Sequence, residues 1–341
     1  MPVLLAVSAL AAVAMAAAVV WMVRPPDRRE VIIRGMFATL LAAAVTVTAG
    51  VITDAEDPAF LLALSFGTAP VVILLGAAAG EAAPGRRSVA RVLVVTWAGF
   101  VFPVCVIVPA LLYRMCGAPE CRVEDFGGAL ALLVSSAASV LLAWRANAGV
   151  EDARWSRFAA PVVVLWVAAA AWLASLEGVV DAYTVRILLA ALLAPLAGGL
   201  AWLLVDVLRR ARRHPLRSFA DGVVAGLVAI IPGAASVSFP WSFVVGALAG
   251  AAAALVFGAT RIASAGRAGH WALVVLTATA IGYLAPAISG DTIGFVFSGR
   301  VAAFLPPLAT FVAVAAFGVV SSTPAWALAR RTLRQNEKTP G

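Results

Sequence analysis

Residues 184–236 read TVRILLAALLAPLAGGLAWLLVDVLRRARRHPLRSFADGVVAGLVAIIPGAAS. Two apolar stretches, 184–208 and 219–236, flank a short gap that holds Arg209, Arg210, Arg212, Arg213 and Arg217. Each stretch is about as long as a helix that crosses a bilayer, so the segment predicts two spans joined on the basic side of a membrane. Outward from it, nine more stretches of the same kind lie at 3–23, 33–53, 59–79, 88–113, 124–144, 156–176, 240–262, 268–289 and 300–326. Basic residues fall in every second gap. One side receives Arg24, Arg28, Arg29 and Arg34, then Arg86, Arg87 and Arg91, then Arg145, Arg154 and Arg157, the five arginines of 209–217, Arg261 and Arg267, and finally Arg330, Arg331, Arg334 and Lys338. The other side keeps Arg114, Arg122, Arg186 and Arg300, beside acidic loops such as Thr53-Asp54-Ala55-Glu56-Asp57. With 21 of the 25 Lys and Arg on one side, the positive-inside rule predicts an external N-terminus and a cytoplasmic C-terminus, which requires an odd number of spans. The fold class expected is an all-α polytopic protein of the plasma membrane with eleven transmembrane helices.

Composition leads to the same solvent. At 63% hydrophobic residues and a mean hydropathy of +1.01, no globular core could hide the apolar surface from water. The net charge of +8 sits in short loops at one face, where orientation and anionic lipid account for it, so the partner is the lipid bilayer and not nucleic acid. The first stretch has no basic residue before its apolar core and arginines soon after it, the reverse of a secretory signal, and reads as an uncleaved first helix. No connection is long enough for a second domain. Residues 1–331 therefore form one integral-membrane unit, followed by a short polar tail at 332–341. The spacings Gly76-xxx-Gly80 and Gly246-xxx-Gly250 predict close helix approach.

Chemistry-bearing residues are sparse. Asp125, Arg186, Asp206 and Asp221 all fall near predicted span ends, within reach of water or headgroups, whereas an ionisable group at mid-membrane would cost about 3 kcal/mol or more. Paired carboxylates, a Ser/His or Cys/His couple and metal-ligand clusters are missing, so neither an enzyme nor a cofactor or metal is expected. Cys105 lies within the fourth span; Cys116 and Cys121 share the external loop 114–123, either as a disulfide or as two free thiols. His214 and His270 read as solvated or interfacial side chains.

Several stretches, taken in order, resemble the ammonium transporter family. AGLVAIIPGAA at 225–235, followed by Ser238-Phe239-Pro240-Trp241 and VVGALAG at 244–250, is similar to that family's eighth and ninth helices, which run AGLVAITPAAG, SPW and IIGxxAG. Ser65-Phe66 with GAAAGE at 76–81 resembles the third helix, where a gate phenylalanine precedes a GAxAER turn. Phe102-Pro103-Val104 resembles the fourth helix, Asp125-Phe126-Gly127-Gly128 the DFAGG that opens the fifth, Leu165-Trp166 an LW pair in the sixth, and Phe317-Gly318-Val319-Val320 a WSGVV in the eleventh. The resemblance implies eleven helices built as two inverted five-helix repeats plus one, an external N-terminus, and a homotrimer.

The departures bear on function. The family's two facing pore histidines align with Leu133, eight residues after Asp125, and with Val275 in the tenth helix. Phe66 matches the first of the two phenylalanines that close the outer mouth, and Trp172 falls at the second. The tryptophan that recruits ammonium is replaced by Pro109, and its serine partner by Leu176. Asp125 is expected to be structural, capping the external start of the fifth helix. Leu133 and Val275 make either a dry constriction that a small uncharged molecule crosses or a filled core. Two functions stay open: a channel or transporter for ammonia or another small neutral solute, and a transport-inactive relative acting as a membrane sensor or interaction subunit.

Overall fold

The computed structural model describes residues 2–25, 27–82, 87–116, 124–143, 156–211, 213–258, 267–290, 294–299 and 304–337. Its helices, in chain order, are α1 (Pro2–Val23), α2 (Arg28–Thr53), α3 (Pro58–Glu81), α4 (Arg87–Cys116), α5 (Leu130–Val140), α6 (Ser156–Leu176), α7 (Ala182–Leu208), α8 (Pro215–Gly233), α9 (Phe239–Phe257), α10 (Arg267–Ser289) and α11 (Leu305–Glu337). Ten contain a segment long and apolar enough to cross a membrane, and α5 is a shorter apolar helix among the described residues. The protein is thus an all-helical, multi-pass membrane protein, with α11 running on through 332–337 of the expected tail.

Helix starts follow local chemistry. The Asp27 carboxylate accepts from the Glu30 N–H at 3.1 Å, and Asp57 accepts from Ala59 and Phe60 at 2.7 and 3.1 Å. Asp181 and Thr184 form a reciprocal capping box at the start of α7. Ion pairs then sort the ends. Arg87 and Arg91 reach Glu30 at 3.2 and 3.5 Å, which puts the starts of α2 and α4 at one face, while Arg114 meets Asp54 at 3.0 Å where both helices end.

Packing groups α2, α3 and α4 together, groups α7, α8 and α9 likewise, and lays α1 along α6. α10 packs against α8 and α9, beside the second of these groups. The second group is held by backbone contact. A Cβ at Gly246 would lie 2.0 Å from the Ala194 carbonyl oxygen, and one at Gly282 would lie 1.8 Å from that of Ala229, so neither position has room for a side chain. Gly76 and Gly80 have the same spacing in sequence but correct the expectation drawn from it: the nearest neighbour of a Cβ at Gly76 is a Val94 methyl at 3.8 Å, and nothing lies within 4 Å of one at Gly80.

Two interruptions are repaired by tryptophans. Pro195 has no N–H, which deprives the Ala191 carbonyl of its helical donor; the Trp166 indole N–H donates to that oxygen at 2.9 Å. In α3 the helix breaks at Gly67, whose N–H turns to Leu64 at 2.9 Å. The carbonyl of Ala63, left over by that break, accepts from the Trp172 indole at 3.0 Å and from the Ser8 hydroxyl at 3.2 Å. Inside lipid an orphan carbonyl costs several kcal/mol, so these bonds permit the breaks.

Candidate functional site

The fifth span does not begin at 124 as a helix. Residues 124–128 form a turn in which Gly128 takes a φ of 61°, a conformation glycine adopts without strain. The N–H groups of Phe126 and Gly127 donate to the Pro232 and Ile231 carbonyls at 2.9 and 3.1 Å, exposed because α8 ends in a tight 3-10 turn. Asp125 directs both carboxylate oxygens at the first N–H groups of the helix, Ala129 at 2.6 Å and Leu130 at 2.9 Å. A π-helical turn over Leu130–Val134 follows, and it carries Leu133.

Leu133 and Val275, from α5 and α10, meet on the wall of one cavity of about 190 Å³. A neighbouring pocket of about 90 Å³ shares both residues and adds Ser136 and Glu81. By volume the larger space holds a small molecule several times over, given about 10–15 Å³ of probe volume per water. Its walls are leucine, valine, isoleucine, methionine and tryptophan, and the ionisable groups on its lining are Arg213 and Arg217.

Trp172 closes the cavity at the end away from those arginines. It is 2% exposed, fixed by its bond to Ala63, and pressed on Gly67, where a Cβ would lie 2.5 Å from the indole ring. A second cavity of about 470 Å³, which shares no lining residue with the first, is lined by α3, α4 and α5 with Leu64, Val106, Leu130 and Ala131, among Glu56, Glu124 and Asp125. Pro109 lies on that second cavity, and Leu176 is buried in the core. Thus Trp172, Leu133 and Val275 are brought together. Phe66 is half-buried against the main core and is not among the residues lining the apolar cavity.

The charged end departs from expectation. Asp206 and Asp221 were placed near water by their positions in the sequence, yet they are 8% and 1% exposed. Arg213 bonds Asp221 and reaches Asp206 at 3.5 Å, Arg217 holds Asp221 at 3.2 Å, and Ser218 donates to Asp206 at 2.6 Å. The Arg213 guanidinium also lies 4.3 Å from the centre of the Phe257 ring and 5.7 Å from that of Trp202. Two contributions escaped the sequence reading. Met15, Val19 and Met22 of α1 line the cavity, but α1 is apolar all round and shows no preferred face. The i, i+4 spacings of Arg213, Arg217 and Asp221 were the legible sign of the charged cluster.

Cys116 is disulfide-bonded and Cys105 is a buried free thiol; Cys121 lies outside the described residues. The side chain of His270 does too. His214 accepts from the Leu216 N–H at 3.3 Å and caps α8.

Residues 169–288 match the model of the Ammonium Transporter Family. No curated protein matches the chain. Among solved structures, Candida albicans Mep2 is similar with a TM-score of 0.80 at 17% identity, over 96% of this chain and 84% of that one. Saccharomyces cerevisiae Mep2 is similar with a TM-score of 0.72 at 16% identity, over 94% and 83%. A structure described as "Sensor Amt Protein" is similar with a TM-score of 0.70 at 13% identity, over 96% and 94%.

Proposed function

We propose, from the match of residues 169–288 to the Ammonium Transporter Family model and from the fold shared with Mep2, that the chain is a member of that family and a channel passing ammonia, or another small neutral solute, along the apolar cavity beneath Trp172. The reading is carried by one observation: Leu133 and Val275, at the positions where the resemblance implies histidines, share one apolar wall. A neutral molecule crosses such a wall without the charge penalty that an ion incurs. Asp125 has a structural part in this reading, since its carboxylate is committed to the first N–H groups of α5. The pathway would run from the carboxylate-lined cavity, past the Trp172 layer, to the arginine-rich face.

We place the protein in the plasma membrane with that arginine-rich face in the cytoplasm. The division of basic residues supports this orientation. A single cysteine at Asp54, with Cys105 replaced by alanine, is expected to react with an impermeant thiol reagent outside intact cells, and one at Arg212 is not. Labelling at Arg212 in sealed cells would overturn the orientation.

The functional test is stopped-flow alkalinisation of proteoliposomes. An inward ammonia gradient is expected to raise the lumenal pH faster than in protein-free liposomes of the same lipid, and rates that coincide would count against the channel. A specific observation favours the second reading, that of a sensor or interaction subunit: Trp172 is buried and fixed on the wall of the apolar cavity, which shares no lining residue with the carboxylate-lined one, and the fold is shared with a protein described as a sensor. Well-folded protein with no ammonia flux would leave that reading in place.

A further inference from the structure

The charges around Arg213 are layered. Arg213 and Arg217 line the apolar cavity, while the carboxylates that neutralise them, Asp206 and Asp221, are absent from its lining and lie behind. The four charges cancel in number but not in position. A solute arriving at this mouth meets two guanidinium groups first, with their counter-charges one layer deeper in the protein. The layer is fixed. Asp221 is held by both arginines, Asp206 by Ser218, and Arg213 by the faces of Phe257 and Trp202. The wall around it is leucine, valine and aromatic carbon, a low-dielectric surround in which the field of an oriented charge pair is less screened than in water.

We propose that Arg213 and Arg217 are specificity-determining residues, a cation-rejecting collar that gives the arginine-side mouth of the cavity a positive potential. The proposal rests on reading that cavity as the solute pathway. It adds a second discrimination to the one made by the dry wall: Leu133 and Val275 oppose any charge, whereas the collar opposes one sign. A monovalent cation such as ammonium is disfavoured there, and neutral or anionic solutes are not.

The test does not require transport. Met22 lines the same cavity and is half-buried near the end of α1. Met22→Cys, in a background with Cys105→Ala and the Cys116 disulfide kept, is titrated in nanodiscs with an anionic and a cationic methanethiosulfonate reagent. Each rate is normalised to that of a small thiol in solution. The anionic reagent is expected to react about tenfold faster than the cationic one, as Coulomb energies of two oriented pairs at an intermediate dielectric imply. Replacing both pairs together, Arg213→Gln with Asp206→Asn and Arg217→Gln with Asp221→Asn, keeps the net charge and leaves no buried ion unpaired. It is expected to bring the ratio close to one. A ratio unchanged in that folded variant would overturn the collar. Should the variant not fold, the parent ratio still decides, because a value near one or in favour of the cation overturns the proposal on its own. Both reagents reach Met22 without crossing Trp172, so the outcomes are separable. A sign preference without ammonia flux sinks the channel and spares the collar, and flux without a sign preference does the reverse.

Discussion

Purified protein in liposomes is expected to carry no ammonium-evoked current at any ammonium concentration. Charge transfer through the cavity needs either groups that replace the hydration of the ion or a relay that moves its proton. The lining supplies neither, because Leu133 and Val275 are hydrocarbon and the ionisable groups present, Arg213 and Arg217, repel a cation. Dehydrating a small cation into a dry protein interior costs several kcal/mol even after relaxation. A residual barrier of about 5–6 kcal/mol lowers a rate by about four orders of magnitude, at one order for each 1.4 kcal/mol or so. Recordings on a solid-supported membrane check this directly. A saturable ammonium current that survives substitution at Leu133 and Val275 would mean that the ion travels elsewhere.

The parts of the fold legible in sequence were those that the lipid solvent dictates. Apolar runs of span length must be helices, since no other open structure satisfies its backbone in hydrocarbon, and short basic gaps fix which ends share a face. The Arg87–Glu30 and Arg114–Asp54 pairs show the helix ends gathered as that reading required. What could not be read were matters of pairing between distant segments. The indole N–H of Trp166 answers Pro195, and that of Trp172 answers the break at Gly67, but nothing in either local sequence names the other. Gly76-xxx-Gly80 and Gly246-xxx-Gly250 look alike as strings, and only the second faces another backbone.

The candidate site divides in the same way. Counting eight residues on from Asp125 led to Leu133, and the cavity wall includes it. The Asp125 cap and the Gly128 turn, held also by the Ile231 and Pro232 carbonyls, fix where the helix starts and so where Leu133 falls along it. Phe66, one residue before Gly67, falls off the apolar wall, and Gly67 takes the place beside Trp172 instead. Burial of Asp206 and Asp221 was hidden for a different reason. Their positions near span ends suggested water, yet arginines four and eight residues from Asp221 fold back over the carboxylates and cover them.

Trp172→Ala is expected to enlarge the apolar cavity at the Gly67 side and to raise ammonia permeation several-fold. The indole fills the layer between Gly67 and the α5 wall, and its removal clears a space larger than any small neutral solute needs. The same change takes a donor from the Ala63 carbonyl, which keeps only its bond to Ser8. Truncating a buried tryptophan costs about 3–5 kcal/mol, so the thermal midpoint in detergent is expected to fall as permeation rises. Trp172→Phe separates the two consequences. It retains most of the ring, loses the indole bond at a cost of about 1 kcal/mol, and leaves the layer largely filled. Its permeation is therefore expected to lie near that of the parent protein, with a small loss of stability. If both variants permeate ammonia at the parental rate while remaining folded, Trp172 is a packing residue and the solute path does not pass it. If the alanine variant alone is faster, the indole is the closed gate of the pathway, and the height of the barrier in the parent protein is set by how firmly Ala63 and Gly67 hold it.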